Sequence, residues 1–354
     1  MKAVKAVLKW LLIVILIIVL AAAALIVYLT VTEYTPVDTE KVEYPAGDRT
    51  LSAGDGLSIL SWNIGYSGLG KNEQFLMDGG KMSWPSEDSV KGYLSGIMDA
   101  LAENDADVYF LQEVDKDSAR TYGIDERESV SSALGLGYAF APNFVCRFVP
   151  LPLPVPGRVE SGLATYTDLS VTDAERIQLP VPFKWPVRTA NLKRCLLVER
   201  VQLDGTDKEL VIVNLHLEAY DDGEGKLAQT QKMMDILTEE YAKGNYVIAG
   251  GDWNQTFPGI DESVVPVLDS SSWMPGVLDA GSLPEGWRYA ADGSAPSCRL
   301  LNMPYTDDPA VMQYYIIDGF LLSPNVQLVS IKTLDYGFSY SDHQPVLMNV
   351  KLVK

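Results

Sequence analysis

Histidine is the scarcest chemically active residue here: 354 residues carry only two, His216 and His343. Imidazole chemistry therefore falls on these positions, and both sit in strand-like surroundings, "VIVNLHLEAY" and "SDHQPVLM". Cysteine is nearly as rare. Cys146, Cys195 and Cys298 are far apart, odd in number and without CxxC spacing. That argues against a disulfide framework and a zinc knuckle, and leaves room for one disulfide with a spare thiol. Positive charge is also short, with 28 Lys+Arg against 47 Asp+Glu and a net charge of −19. Such a surface repels nucleic acid and anionic lipid at long range, but allows a local phosphate pocket lined by metal cations. No internal repeat is visible. With 47% hydrophobic and 21% charged residues, the chain has a globular and not a disordered profile.

One long apolar run is present, from Trp10 to Val31, and it carries no charge. About 20 such residues suffice to cross the hydrocarbon core. Lys2, Lys5 and Lys9 precede it and acidic residues follow, which places the N-terminus inside and the body outside the cytoplasm. A cleaved signal peptide is the alternative, with Ala21–Ala24 as small residues near a cleavage site. The run's length favours a retained anchor. The expected division is a basic cytoplasmic start over 1–9, a transmembrane anchor over 10–31, a polar linker over 32–55 and one body over 56–354.

The body reads as many strands and few helices. Residues 57–66, 106–115, 162–167, 194–203, 209–218, 246–255, 314–323, 326–335 and 345–353 are rich in β-branched and apolar residues. Ser86 is a candidate cap for a helix with Val90, Tyr93, Leu94, Ile97, Met98 and Leu101 on one face. Leu227, Met234, Leu237 and Tyr241 mark a second helix, with Gly244 beyond its end. Several strands end in polar residues: Glu113 after "YFLQ", Asp252 after "VIAGG", Asp318 after "YYII", and Asp342 before "HQPVLM". Any one of these is ordinary turn chemistry. Together with two histidines and two asparagines in like settings, they predict a sheet edge where hard oxygen ligands gather, suited to Mg²⁺ or Mn²⁺.

"SWNIGY", "LQEVD", "NLHLE", "GGDWNQ", "IDGFLLS" and "SDHQPV" occur in the order found in the endonuclease/exonuclease/phosphatase superfamily. That group includes apurinic endonucleases, pancreatic-type deoxyribonucleases, neutral sphingomyelinases and inositol polyphosphate 5-phosphatases. The chain resembles it over about residues 56–352. The resemblance implies a four-layer α/β sandwich, two mostly antiparallel β-sheets packed face to face with outer helices, following the N-terminal transmembrane helix. It implies Mg²⁺-dependent phosphoester hydrolysis, Mn²⁺ being an alternative. Glu113 and Asp342 match the metal-binding acids, and Asn63 matches the amide orienting Glu113 or the phosphate. Asp252 matches the residue that holds or deprotonates the attacking water, and Asn254 the donor to phosphoryl oxygens. His343 matches the catalytic histidine and Asp318 its orienting carboxylate. His216 matches a phosphate-contacting histidine of the deoxyribonuclease and sphingomyelinase branches.

Arg147, Arg194 and Arg299 are candidate phosphate clamps. Residues 145–160 and 179–187 are proline-rich and apolar, and Phe144, Phe148, Leu151, Leu153, Phe183 and Trp185 read either as loop packing or as loops facing a membrane or acyl chain. The partners expected are a phosphoester, a membrane lipid headgroup among the candidates, and no obligate protein. A tethered or secreted nuclease using the same site is the second reading, disfavoured by the lack of clustered Lys/Arg. A non-catalytic binding protein on this fold is the third, and it would have lost acids or histidines that are all present.

Overall fold

The computed structural model describes residues 2–44, 47–81, 84–221 and 223–353. The first helix, α1, runs Lys2–Val31, and its Ala3–Val31 stretch is long and apolar enough to cross a bilayer, a property anchors and signal sequences share. It is followed by two short strands, Thr39–Lys41 and Leu51–Ser52, in the stretch expected to be a bare linker. They pair with Val171–Gln178 and Cys195–Asp204 respectively. Edge strands this short take their conformation from the partner, so local propensity did not mark them.

Two sheets form the body. One has eight strands along the path Thr39–Lys41, Val171–Gln178, Cys195–Asp204, Glu209–His216, Tyr246–Asp252, Asp318–Leu322 and Arg288–Ala290, with Leu51–Ser52 off this path. The other has six, ordered Val326–Thr333, Val346–Leu352, Gly56–Asn63, Val108–Asp115, Gly157–Thr167 and Gly137–Val149. Most pairings are antiparallel. The central ones, Glu209–His216 with Tyr246–Asp252 and Gly56–Asn63 with Val108–Asp115, are parallel.

Central strands are apolar on both faces, because both faces are covered. Ile59, Phe110, Ile212, Ile248, Phe320 and Met348 meet between the sheets. The alternate residues Leu60, Trp62, Tyr109 and Leu111 pack outward against α2 (Glu87–Glu103) and α3 (Glu126–Leu134). On the opposite face Val211, Val213, Val247 and Ala249 pack against α4 (Glu224–Ala242). The layers run helix, sheet, sheet, helix. Ser86 caps α2 by accepting from the Ser89 N–H at 3.2 Å. Beyond α4, Gly244 takes φ 89° and its N–H returns to the Tyr241 carbonyl. All three cysteines are free and buried.

Candidate active site

Strand register places the acids. Asp252 ends its strand opposite His216 of the parallel neighbour and opposite Asp318 of the antiparallel one. Three polar side chains thus share one row at the end of the first sheet. Gly251, just before, adopts φ 147°, and a Cβ there would lie 1.9 Å from the Leu215 carbonyl oxygen. Only glycine lets the Asp252 strand come this close to the strand bearing His216.

The second sheet delivers Asn63 and Glu113 from the ends of its parallel pair. Glu113 sits in a bulge between Leu111 and Val114 with φ 55°, and Asn254 has φ 50°. A left-handed backbone at such residues costs about 1–3 kcal/mol, and a bulge re-aims the side chain it carries. His343 and Asp342 come from the segment before Val346–Leu352. A backbone bridge between His343 and Cys298, and an Arg299 N–H bond to the Asp342 carbonyl at 3.0 Å, fix that segment.

Asp252 is the hub. Its Oδ2 accepts from Asn63 Nδ2 at 3.0 Å and lies 3.3 Å from His216 Nε2 and 3.7 Å from His343 Nε2. Its Oδ1 accepts from the Asn254 N–H at 2.9 Å. Asn63 Nδ2 also donates to Glu113 Oε1 at 3.1 Å, while its Oδ1 accepts from the Gly65 N–H, so the amide orientation is determined. His216 Nε2 is 4.0 Å from Glu113 Oε1. His343 Nδ1 meets Asp318 Oδ2 at 2.9 Å, and Ser297 Oγ donates to the same oxygen at 2.7 Å. Asn254 Nδ2 is bonded to the Leu217 carbonyl at 3.0 Å. Asp342 Oδ1 accepts from Ser341 Oγ.

The electrostatics split the histidines. Burial opposes charge on both. For His343 the carboxylates of Asp318 and Asp252 outweigh burial and hold its pKa well above the ordinary value. For His216, burial, Arg194 and His343 all push the pKa well below. The surroundings thus favour the charged ring at His343 and the neutral ring at His216. Burial also raises the Asp252 carboxyl, with His343 opposing. Asp342 is pushed up to about 7 by burial, with His343 opposing and Glu113 adding to the rise.

Whether a divalent cation fits follows from these donors. Glu113, Asp342 and Asn63 offer hard oxygens, and the Asp342 carboxyl, raised to about 7 by burial with the Glu113 charge adding to the rise, is one whose ionised form a cation would stabilise. Ligand atoms of Asp252, Asp318 and His343 also lie within 4.8 Å of one another. There, however, His343 Nδ1 is engaged by Asp318 and Asp318 Oδ2 by Ser297, so those ligand atoms are already committed to hydrogen bonds.

A cavity of about 450 Å³ opens over this row. Asn63, Glu113, His216, Asp252, Asp342 and His343 all line it, as does Asn254; Asp318 stands behind His343. The three arginines part ways. Arg194 lines the cavity, is buried, and leaves Nε and Nη1 without hydrogen-bond partners, with Glu218 Oε2 3.6 Å from Nε. Arg299 also lines it, but its guanidinium bonds to the backbone carbonyls of Gly70 at 3.0 Å and Met303 at 3.2 Å, which makes it a loop brace. Arg147 is exposed and lies outside the cavity lining. Sequence reasoning missed Tyr66, Arg120, Ser297 and Glu218. Arg120 stacks 3.5 Å over the Tyr66 ring and is gripped by Asp115 at 2.8 and 3.0 Å, closing one wall. Tyr66 lies in an irregular turn with no periodic signal.

Residues 60–343 match the model of the Endonuclease/Exonuclease/phosphatase family. The chain belongs to this family. Its members are phosphoesterases and nucleases, and the polar row described above lies within the matched residues. No curated protein matches the sequence. Among solved structures, an endonuclease/exonuclease/phosphatase from Beutenbergia cavernae superposes with a TM-score of 0.57 at 17% identity, covering 84% of this chain and 72% of that one. ANGEL2, a 2',3'-cyclic phosphatase, gives 0.53 at 16% identity over 90% and 99%. A functionally unknown conserved protein from Enterococcus faecalis gives 0.53 at 15% over 83% and 99%. At these identities the likeness shows the fold.

Proposed function

We propose that this family member is a membrane-tethered phosphoesterase that uses Mg²⁺, or Mn²⁺ in its place, to hydrolyse a phosphoester outside the cytoplasm by attack of water on phosphorus. The observation that carries the reading is the convergence of both histidines on one carboxylate, Asp252 Oδ2, which Asn63 also holds. Glu113 and Asp342, with Asn63 beside them, would hold the cation, whose charge would neutralise the phosphoryl oxygens. Asp252 holds the attacking water and accepts its proton, its basicity raised by burial. His343, kept protonated by Asp318, places a proton at Nε2 toward the reacting phosphate. Neutral His216 adds an uncharged donor on the same side, and Arg194 offers unpartnered N–H groups.

Residual nuclease function is the weaker reading, because the net charge of −19 opposes a polyanionic substrate. Location outside the cytoplasm is supported by Lys5 and Lys9 before the apolar run. Turnover of bis-p-nitrophenyl phosphate should require Mg²⁺ or Mn²⁺ and stop with EDTA. His343→Ala and Asp252→Ala should each lower it by at least about a thousandfold without changing the circular dichroism. Substantial activity left in both variants would overturn the assignment.

A further inference from the structure

We infer that the mouth of the cavity docks on the bilayer, and that the substrate is an amphiphilic phosphoester drawn from the same membrane that holds α1. This rests on the phosphoesterase reading above.

The end of α1 is seated on the body and does not trail from it. Leu29 is buried, and with Leu25 it packs against Phe144, Cys146, Val149 and Ala190. Trp185 Nε1 donates to Thr30 Oγ1 at 3.0 Å. Arg188 and Lys193 reach Glu33 at 3.3 and 3.1 Å. Three of the seat residues, Phe144, Val149 and Ala190, also line the cavity. The wall that receives the helix is therefore the wall of the site, and a bilayer crossed by α1 lies beside the cavity mouth.

What surrounds that mouth is apolar and uncovered. Leu151 is 67% exposed, Leu153 70%, Trp185 56% and Val187 59%. Leu151 and Val187 line the cavity as well. An apolar rim contiguous with a membrane-spanning helix has a natural cover, the lipid that the helix already enters. The dimensions agree. From Trp10 to Tyr28 a helix rises about 27 Å, close to the ~30 Å hydrocarbon thickness, which sets Tyr28 and Trp185 at interfacial depth where such rings are favoured. The net charge of −19 gives little long-range attraction to anionic lipid, so the apolar rim and the tether carry the contact. Inside, Trp84, Phe144 and Phe183 wall the path between this rim and the acid row. A molecule with a phosphate at one end and a hydrocarbon tail at the other matches both surfaces at once.

Val329 supplies the control. It is 63% exposed, but on the strand at the opposite sheet edge from Gly137–Val149, the strand that seats α1. The full chain, reconstituted in dioleoylphosphatidylcholine vesicles, is labelled with an environment-sensitive fluorophore at Leu153→Cys or Val329→Cys. The three native thiols are buried and do not compete. Brominated lipids should quench the probe at 153 at least fivefold more than that at 329; equal quenching overturns the docking surface. Phosphatidylcholine and phosphatidylglycerol are then compared as dihexanoyl monomers in solution and as dioleoyl lipids in the same or in separate vesicles. Long-chain substrate in the same vesicle should be turned over at least tenfold faster. Leu153→Asp should lower the ratio of lipid to bis-p-nitrophenyl phosphate turnover tenfold, and Val329→Asp should leave it unchanged. No preference for long chains, or preference for the separate vesicles, overturns the substrate class. Loss of bis-p-nitrophenyl phosphate turnover itself would instead count against the phosphoesterase reading, while the quenching pattern still decides the docking.

Discussion

Asp318 Oδ2 lies 2.9 Å from His343 Nδ1, and Ser297 Oγ holds that same oxygen from the other side. A fixed carboxylate against one ring nitrogen sets the tautomer and raises the proton affinity of the ring. Asp318→Asn keeps the shape and removes the charge. Turnover should fall by about a hundred- to ten-thousandfold. The sign of the pH effect follows from His343: its pKa is held up by Asp318, so removing the charge lowers it. The alkaline limb of the kcat/KM profile, where His343 loses its proton, should move to lower pH. A profile of reduced height with an unmoved limb would show that His343 is not the group reporting there.

Cation affinity should depend on pH through Asp342. Its carboxyl, raised to about 7 by burial with the Glu113 charge adding, must lose its proton to serve as a ligand. Mg²⁺ or Mn²⁺ binding measured by calorimetry should weaken as pH falls below 7, by up to about tenfold per unit, with proton release on binding. Asp342→Asn should lose affinity and also lose this dependence. An unchanged slope in the variant would move the ligand role elsewhere.

Strand ends made much of this site legible in the sequence. Glu113, Asp252 and Asp318 each follow an apolar run; His216 closes the strand on one side of Asp252, whereas Asp318, expected to end a strand, opens the antiparallel strand on the other, which puts it in the same row. What escaped depends on tertiary contacts alone. Arg194 and Arg299 are alike in sequence terms, yet Arg194 leaves both Nε and Nη1 unpartnered, whereas Arg299 leaves only Nε so and gives its terminal nitrogens to backbone carbonyls including those of Gly70 and Met303. Ser297 sits just before a strand of only two residues, Cys298–Arg299, and Tyr66 lies in an irregular turn. The apolar loops were visible as composition, but their relation to α1 rests on contacts such as Trp185 to Thr30 that no periodicity encodes.

Arg194 provides a test of substrate contact. Arg194→Ala should lower kcat/KM by about ten- to a hundredfold, since a charged hydrogen bond is worth roughly 1.5–3 kcal/mol. Arg194→Lys should recover only part, because one ammonium does not reproduce the planar fork. If both variants keep wild-type kcat/KM, the unpartnered nitrogens face water in the working enzyme.

Glu199 bears on stability, not on catalysis. Its carboxyl is buried between the strands with no hydrogen-bond partner on either oxygen, and burial pushes it up to about 8. The unfolded chain titrates near 4.3, so between about 4.3 and 8 the folded state binds a proton that the unfolded state has lost. The contribution of this group is therefore most favourable below pH 4.3 and erodes as pH rises toward 8. At pH 7 the cost is at most about 4 kcal/mol. Glu199→Gln removes the ionisation while keeping the size. It should raise the urea midpoint at pH 7.5 and flatten the fall in stability between pH 5 and 8, with the m-value unchanged. A wild-type slope retained in Glu199→Gln would mean that another buried acid, such as Glu126 or Asp342, both raised by burial, sets the pH dependence of folding.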